Sequence, residues 1–270
     1  TMRRRIPAPA VAATLAALVA PAWAVEASPV RPVATYSIVA RDAATGELGV
    51  AVESHWFSVG SIVPWAEAGV GAVATQSFVE PSYGPLGLAA MRSGASPDEA
   101  LADLIAKDPH PEVRQVAFVD AGGRVAAHTG GRCIPAAGHR TGAGYSVQAN
   151  LMLGDEVPDA MARAFEGASG PLAERMLAAL EAAQEVGGDI RGKQSAAILV
   201  VRARPSGKPW TDRLVDLRIE DSDRPLAELR RLLALARAYD LMNRGDEAVA
   251  AGRMDEALVE YGKAEERYPE

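Results

Sequence analysis

The apolar positions of this chain do not keep a single period. From Thr35 to Gln76 they crowd into short β-type runs separated by turn residues. Thr35-Tyr-Ser-Ile-Val-Ala-Arg41, the turn pair Thr45-Gly46 and Leu48-Gly-Val-Ala-Val-Glu-Ser54 together predict a β-hairpin. Ser58–Val63 and Val70–Gln76 predict two more strands. Most side chains in these runs are small or apolar without strict alternation, the pattern of strands covered on both faces. The period then lengthens. Ser96-Pro97-Asp98-Glu99 joins a capping box to a proline at the first helical position and predicts a helix to about Lys107. Gln115–Asp120 and Arg124–His128 predict a hairpin around Ala121-Gly122-Gly123, and Gly144–Gln148 a further short strand. Glu156–Glu166 and Pro171–Val186 are amphipathic, the second with Leu172, Met176, Leu177 and Leu180 on one face. Ser195–Arg202 and Leu214–Ile219 predict the last strands.

Strands, helices, strands, helices, strands is not the βαβ alternation of a doubly wound sheet. It predicts an α+β fold in which helices cover two central sheets. After Pro225 the pattern is helical. Leu226–Ala236 predicts one helix, and Gly245, Gly252, Ala257, Tyr261, Ala264 and Pro269 then have the spacing of one tetratricopeptide repeat. The small residues would let two antiparallel helices cross closely, Tyr261 would fill the groove and Pro269 would end the second helix. A generic helical hairpin fits the same residues. One repeat cannot bury its own apolar face. Residues 225–270 are therefore expected to pack on the main domain or to meet cell-wall material or a protein partner. A homo-oligomer stays open.

The N-terminus reads differently. Met2-Arg3-Arg4-Arg5, the apolar run Ala10–Ala20 and Ala22-Trp23-Ala24 have the three parts of a secretory signal peptide over residues 2–24. The apolar run is too short for a bilayer core of about 30 Å. The expectation is an exported protein, periplasmic or secreted, with no membrane span in the mature chain. Residues 25–34 read as a linker or propeptide. The formal charge is −7, and loss of a segment holding three arginines and no acid makes the body −10. Such an acidic body argues against nucleic acid as a partner. The single cysteine, Cys133, excludes an intrachain disulfide.

The candidate chemistry begins at Thr35. A threonine hydroxyl needs a neighbouring base. A free α-amine on the same residue, with a pKa near 7.7–8.0, supplies one. Thr35 opens the first core strand directly after the linker, although threonine also favours strands for its shape alone. Tetrahedral acyl-transfer intermediates need donors aimed at an oxyanion. Asn150, read here as lying in a polar break after its strand, and Gln76, at a strand end, are the candidates. Ser54 and His55 close the second strand, beside Thr35 across the hairpin, where they could relay protons or orient the amine. Asp189, Arg191 and Lys193 form a charged turn, either a solvated loop or a clamp for a substrate carboxylate. His128, Cys133 and His139 form a rival cluster: a cysteine–histidine nucleophile, or a metal site one ligand short of four. No phosphate loop, GxSxG elbow or HExxH motif occurs, so no cofactor is expected.

The stretch TYSIVARDAATGELGVAVESHWFSVGSIVPWAEAGVGAVATQ, Thr35 to Gln76, resembles the opening of domain-of-unknown-function family 1028. PSYGPLGL (Pro81–Leu88), AAHTG (Ala126–Gly130), HRTGAGYSVQAN (His139–Asn150) and GGDIRGKQSAA (Gly187–Ala197) extend the resemblance to about Ile219. The helical tail resembles an annex labelled for peptidoglycan binding. The resemblance implies a four-layer αββα sandwich of the N-terminal-nucleophile (Ntn) hydrolase type, over residues 35–221, with a small C-terminal helical hairpin. It also implies a nucleophilic N-terminal threonine acting on a small amide or peptide substrate. Many family members begin Met-Thr at the point matching Thr35. Here ten residues, Val25 to Ala34, would follow signal cleavage, so a second cut at Ala34–Thr35 is required. Ala149 also departs from the family pattern, where glycine is expected before Asn150. The alternative is a non-catalytic scaffold that binds an envelope ligand or partner through the annex.

Overall fold

The computed structural model describes residues 35–268. The expected signal peptide and linker, and Pro269, lie outside the described residues. The described residues belong to one compact unit. Among the described residues ten strands form two antiparallel sheets, and six helices accompany them.

The larger sheet is built from β1 (Thr35–Arg41), β2 (Leu48–Ser54), β8 (Tyr145–Asn150), β9 (Ser195–Val201), β10 (Arg213–Ile219) and the edge strand β7 (Gly138–Gly142). Their order is β10-β9-β2-β1-β8-β7. The smaller sheet has the order β3-β4-β5-β6, from β3 (Pro64–Glu67), β4 (Gly71–Ser77), β5 (Arg114–Asp120) and β6 (Val125–Thr129). The two sheets share an apolar core of Val39, Leu48, Val50 and Val52 with Ala72, Ala74, Ala117 and Val119. The outer face of the larger sheet carries α3 (Val157–Gly167), α4 (Leu172–Glu185) and the first turns of α5 (Pro225–Ala250). The outer face of the smaller sheet carries α1 (Tyr83–Arg92) and α2 (Pro97–Lys107). This explains the weak alternation of the strands: both faces of β1, β2, β4 and β5 are buried.

The hairpins around residues 42–47 and 121–124 and the helix opened by the Ser96 capping box form as the sequence predicts. Ser58–Val63 does not form a strand. Ser58 adopts φ 55°, and Val59–Ser61 make a 3-10 turn. Gly60 lies so close to β9 that an added Cβ would stand 2.8 Å from the Ala197 Cβ. The Ser195 hydroxyl accepts from the Val59 amide at 3.0 Å.

Helix α1 is absent from the sequence prediction, because Gly84, Pro85 and Gly87 read as turn residues. Pro85 sits in the first turn, where an amide hydrogen is not needed. A Cβ on Gly84 would stand 2.3 Å from the Trp65 ring and one on Gly87 2.5 Å from the Phe118 ring, so the glycines let the helix lie down on the sheet.

At the C-terminus one 26-residue helix, α5, replaces the two segments expected there, and α6 (Met254–Arg267) returns along it. Gly252 has φ 74° and serves the connecting turn rather than the helix crossing. Gly245 does mediate the crossing: its Cβ position lies 2.4 Å from the Tyr261 ring. No helix among the described residues is long and apolar enough to cross a membrane.

Candidate functional site

Strand register assembles the site. Thr35 is opposed by Ser54 on one side and by Asn150 on the other. Ser54 is in turn opposed by Ser195. Antiparallel partners share a face, so these four side chains point into the space between the sheets. Gln76 and Gln115, themselves a pair, face them from the smaller sheet. The space between the sheets is therefore divided, with an apolar core around Leu48 and Val50 and a polar layer at the Thr35 end.

That polar layer is buried and closely bonded. Thr35 Oγ1 donates to Ser54 Oγ at 3.2 Å. Gln76 Nε2 donates to the Thr35 carbonyl at 3.2 Å and to Gln115 Oε1 at 2.7 Å. Asn150 Nδ2 reaches the same carbonyl at 3.5 Å and Gln115 Oε1 at 2.9 Å. Ser37 Oγ donates to Gln76 Oε1 at 2.6 Å and accepts from Gln148 Nε2 at 2.5 Å. Gln115 Nε2 donates to the Ala149 carbonyl at 2.8 Å and to Thr129 Oγ1 at 3.0 Å, and Thr129 pairs with His139 Nδ1 at 2.8 Å. In a low-dielectric interior each of these bonds is stronger than in water, and each missing partner is costly.

The backbone is strained next to the two amides. Only three described non-glycine residues have positive φ: Ser58, Ser77 at 70° and Leu151 at 57°. Ser77 directly follows Gln76 and Leu151 directly follows Asn150. Strain of this kind gathers where a side chain must be aimed.

Thr35, Ser54, Gln76 and Asn150 therefore converge. Asn150 is the last residue of β8 rather than part of a polar break, because the strand runs two residues beyond its predicted end. His55 belongs to a neighbouring group. Its backbone amide donates to Asp189 Oδ2 at 2.9 Å, and its ring lies against Gly192. Asp189 is 4 % exposed and grips Arg191 through both guanidinium Nε, at 3.1 Å, and Nη2, at 2.8 Å. The turn is thus anchored by a buried carboxylate, while residues 190–193 are exposed. Lys193 is exposed at its far side.

The rival cluster divides its polar atoms among structural partners. Cys133 Sγ donates to the Arg114 carbonyl at 3.3 Å, and burial pushes its thiol up, away from the reactive thiolate. His128 Nε2 contacts the Pro111 carbonyl at 2.8 Å, while burial and the nearby His128 lower the His139 pKa. Among the described residues no group of His, Cys, Asp and Glu has metal-site spacing.

Residues 35–229 match the model of a family of unknown function, DUF1028. The chain belongs to that family. The crystal structure of a DUF1028 protein from Silicibacter pomeroyi is similar, with a TM-score of 0.66 and 31 % identity, covering 74 % of this chain and 84 % of that one. No curated protein matches the chain. The DUF1028 match begins on Thr35 and ends on Leu229, a fully buried residue of α5.

Sequence reasoning missed four residues of this polar layer and its surroundings: Ser37, Gln115, Gln148 and Glu53. All four are polar residues inside strands buried on both faces, and that mismatch was the available signal. Glu53 is the most unusual. It is 0 % exposed, pairs across the strands with Tyr36, and has no hydrogen-bond partner for either carboxylate oxygen. Burial, reinforced by the charge of Asp189, pushes its carboxyl up to about 8 against the pull of the Tyr36 hydroxyl, Lys193 and Arg191.

Proposed function

We propose that this protein is an amide hydrolase of the N-terminal-nucleophile type, exported by a signal peptide over residues 2–24 and activated by cleavage between Ala34 and Thr35. One observation carries the reading: the first residue of the central strand β1 is a buried threonine whose hydroxyl bonds to a serine and whose carbonyl gathers two side-chain amides. Two helix-covered sheets facing each other, the layer order of an Ntn sandwich, support it, as does a family match that starts on that threonine.

In this reading the freed α-amine of Thr35 takes the proton from Oγ1, and Oγ1 attacks the carbonyl carbon of an amide or peptide-like bond. The C–N bond of the resulting tetrahedral intermediate breaks, and the departing nitrogen takes the proton from the α-ammonium. Water, deprotonated by the same amine, then attacks the ester and releases the acid. Ser54 holds the hydroxyl, and Gln76 and Asn150 supply N–H donors for the oxyanion. His55, Asp189, Arg191 and Lys193 form the adjoining wall, where substrate carboxylates would be received. Residues 225–268 present a groove lined by Leu235, Tyr239, Met242, Tyr261 and Tyr268, where cell-wall material or a protein partner would bind.

A second reading is favoured by the closure of the polar layer, in which Gln76 and Asn150 already serve Gln115 and Thr35. Under it the fold is a non-catalytic scaffold for an envelope ligand. Thr35→Ala separates the two. An electrophilic β-lactone probe should acylate the processed wild type at residue 35 and leave the variant unlabelled, with any turnover reduced at least about a thousandfold. Equal labelling of both, or a phenotype untouched by Thr35→Ala, contradicts the enzymatic reading.

A further inference from the structure

The buried side-chain oxygens with no hydrogen-bond partner are not scattered. Among the described residues they are Glu53 Oε1 and Oε2, Asn150 Oδ1 and Ser77 Oγ. Asn150 stands directly opposite Thr35, Glu53 stands opposite Tyr36, the next residue, and Ser77 follows Gln76. Asn150 Oδ1 can only accept, and Glu53, once ionised, offers two more acceptors. An orphan acceptor in the interior is costly, and an unpaired buried carboxylate more so. A fold that gathers such atoms around one backbone position is arranged for a donor.

Cleavage before Thr35 creates that donor. Water adds to the Ala34 carbonyl, the C–N bond breaks, and the products are an Ala34 carboxylate and a Thr35 α-ammonium with three N–H bonds. We infer that Glu53 is the counter-charge and positioning residue for this ammonium group, with Asn150 Oδ1 as its second acceptor. The inference rests on the reading of Thr35 as a processed nucleophile and assigns the groups that hold its amine.

The geometry allows it. Directly opposed Cα atoms of antiparallel strands lie roughly 4.5–5.5 Å apart, and one residue spans about 3.3 Å. The Thr35 nitrogen is therefore about 6–7 Å from the Glu53 Cα, within reach of a carboxylate on a two-methylene arm. The side chain of Asn150 approaches from the inner face of the sheet and that of Glu53 from the outer face, with the nitrogen in the plane between them. The groups that surround Glu53 are the Tyr36 hydroxyl, Asp189, Arg191 and Lys193. Asp189 and Arg191 are paired with each other, and the Tyr36 hydroxyl donates to Gln184 Oε1 at 3.2 Å. Before cleavage the cheapest state for Glu53 is the neutral acid. After cleavage it is the carboxylate, bonded to the ammonium.

The test uses the exported chain, with and without Glu53→Gln, and intact mass to fix the terminus. In ¹⁵N-threonine-labelled protein the Thr35 α-amine should titrate about one unit lower in the variant, a tenfold change in its protonation equilibrium, because the buried ammonium has lost its counter-charge. A mass that retains residues upstream of Thr35 overturns both this inference and the reading beneath it. A Thr35 terminus whose amine titrates identically in both proteins overturns this inference alone. If Glu53→Gln does not fold, infrared spectra of the wild type decide. A protonated buried carboxyl band at neutral pH should be present before cleavage and absent after it, and its persistence contradicts the assignment.

Discussion

At the scale of single residues, the informative positions are polar side chains where the strand pattern calls for apolar ones. Thr35, Ser54 and Gln76 were legible because they open or close predicted strands, and Asn150 because it follows one, and function often sits at such positions. Ser37 and Glu53 were not, because they occupy strand interiors, and Gln115 and Gln148, though at the ends of predicted strands, meet the others only through the pairing and facing of both sheets. Glu53 yields a prediction for the uncleaved chain. Its folded pKa of about 8 lies above the ordinary glutamate value of about 4.3, so between those limits the folded state holds a proton that the unfolded state releases. Stability should therefore fall as pH rises from about 5 to 8, by up to about 1.4 kcal/mol per unit, and level off above. Glu53→Gln should flatten that decline. Denaturant midpoints measured across this range check it, and an unchanged slope in the variant contradicts the burial of a neutral acid.

At the scale of elements, signals carried by local chemistry were read correctly and signals carried by tertiary contact were misread. The capping box of α2 bonds within four residues, so its sequence suffices. The Ser58–Val63 run has β-type composition, but Ser195 and β9 claim its backbone and fold it into a turn. The edge strand β7, Gly-His-Arg-Thr-Gly, has almost no apolar signal and is paired only through β8. Helix α1 is the clearest case. Its glycines argue against a helix locally, yet Trp65 and Phe118 leave no room for larger residues. Gly87→Ala should lose about 1–3 kcal/mol despite the better helix propensity of alanine, lowering the melting temperature by several degrees. A variant as stable as the wild type would show that α1 can lift from the sheet freely.

At the scale of the whole molecule, the sequence foretold helices over two sheets, and the register of β1 with β2 and β8 adds where the polar end lies. The helical hairpin was legible as a hairpin from its small residues. Its first helix was not legible as one piece, since Leu226, Leu229 and Leu233 belong to the core of the larger sheet while Tyr239, Met242 and Val249 are exposed further along. Gly245→Val should therefore part α5 from α6 without disturbing the sheets. Hydrogen exchange is expected to rise over residues 239–268 and to stay unchanged in β1, β2, β8 and β9. Exchange that rises throughout would mean the hairpin supports the sandwich as well. The account as a whole depends on one backbone bond. Intact mass and N-terminal sequencing of the exported protein test it most directly. The account predicts a mature chain that begins Thr-Tyr-Ser-Ile, and a fully active chain that still begins at Val25 would contradict it.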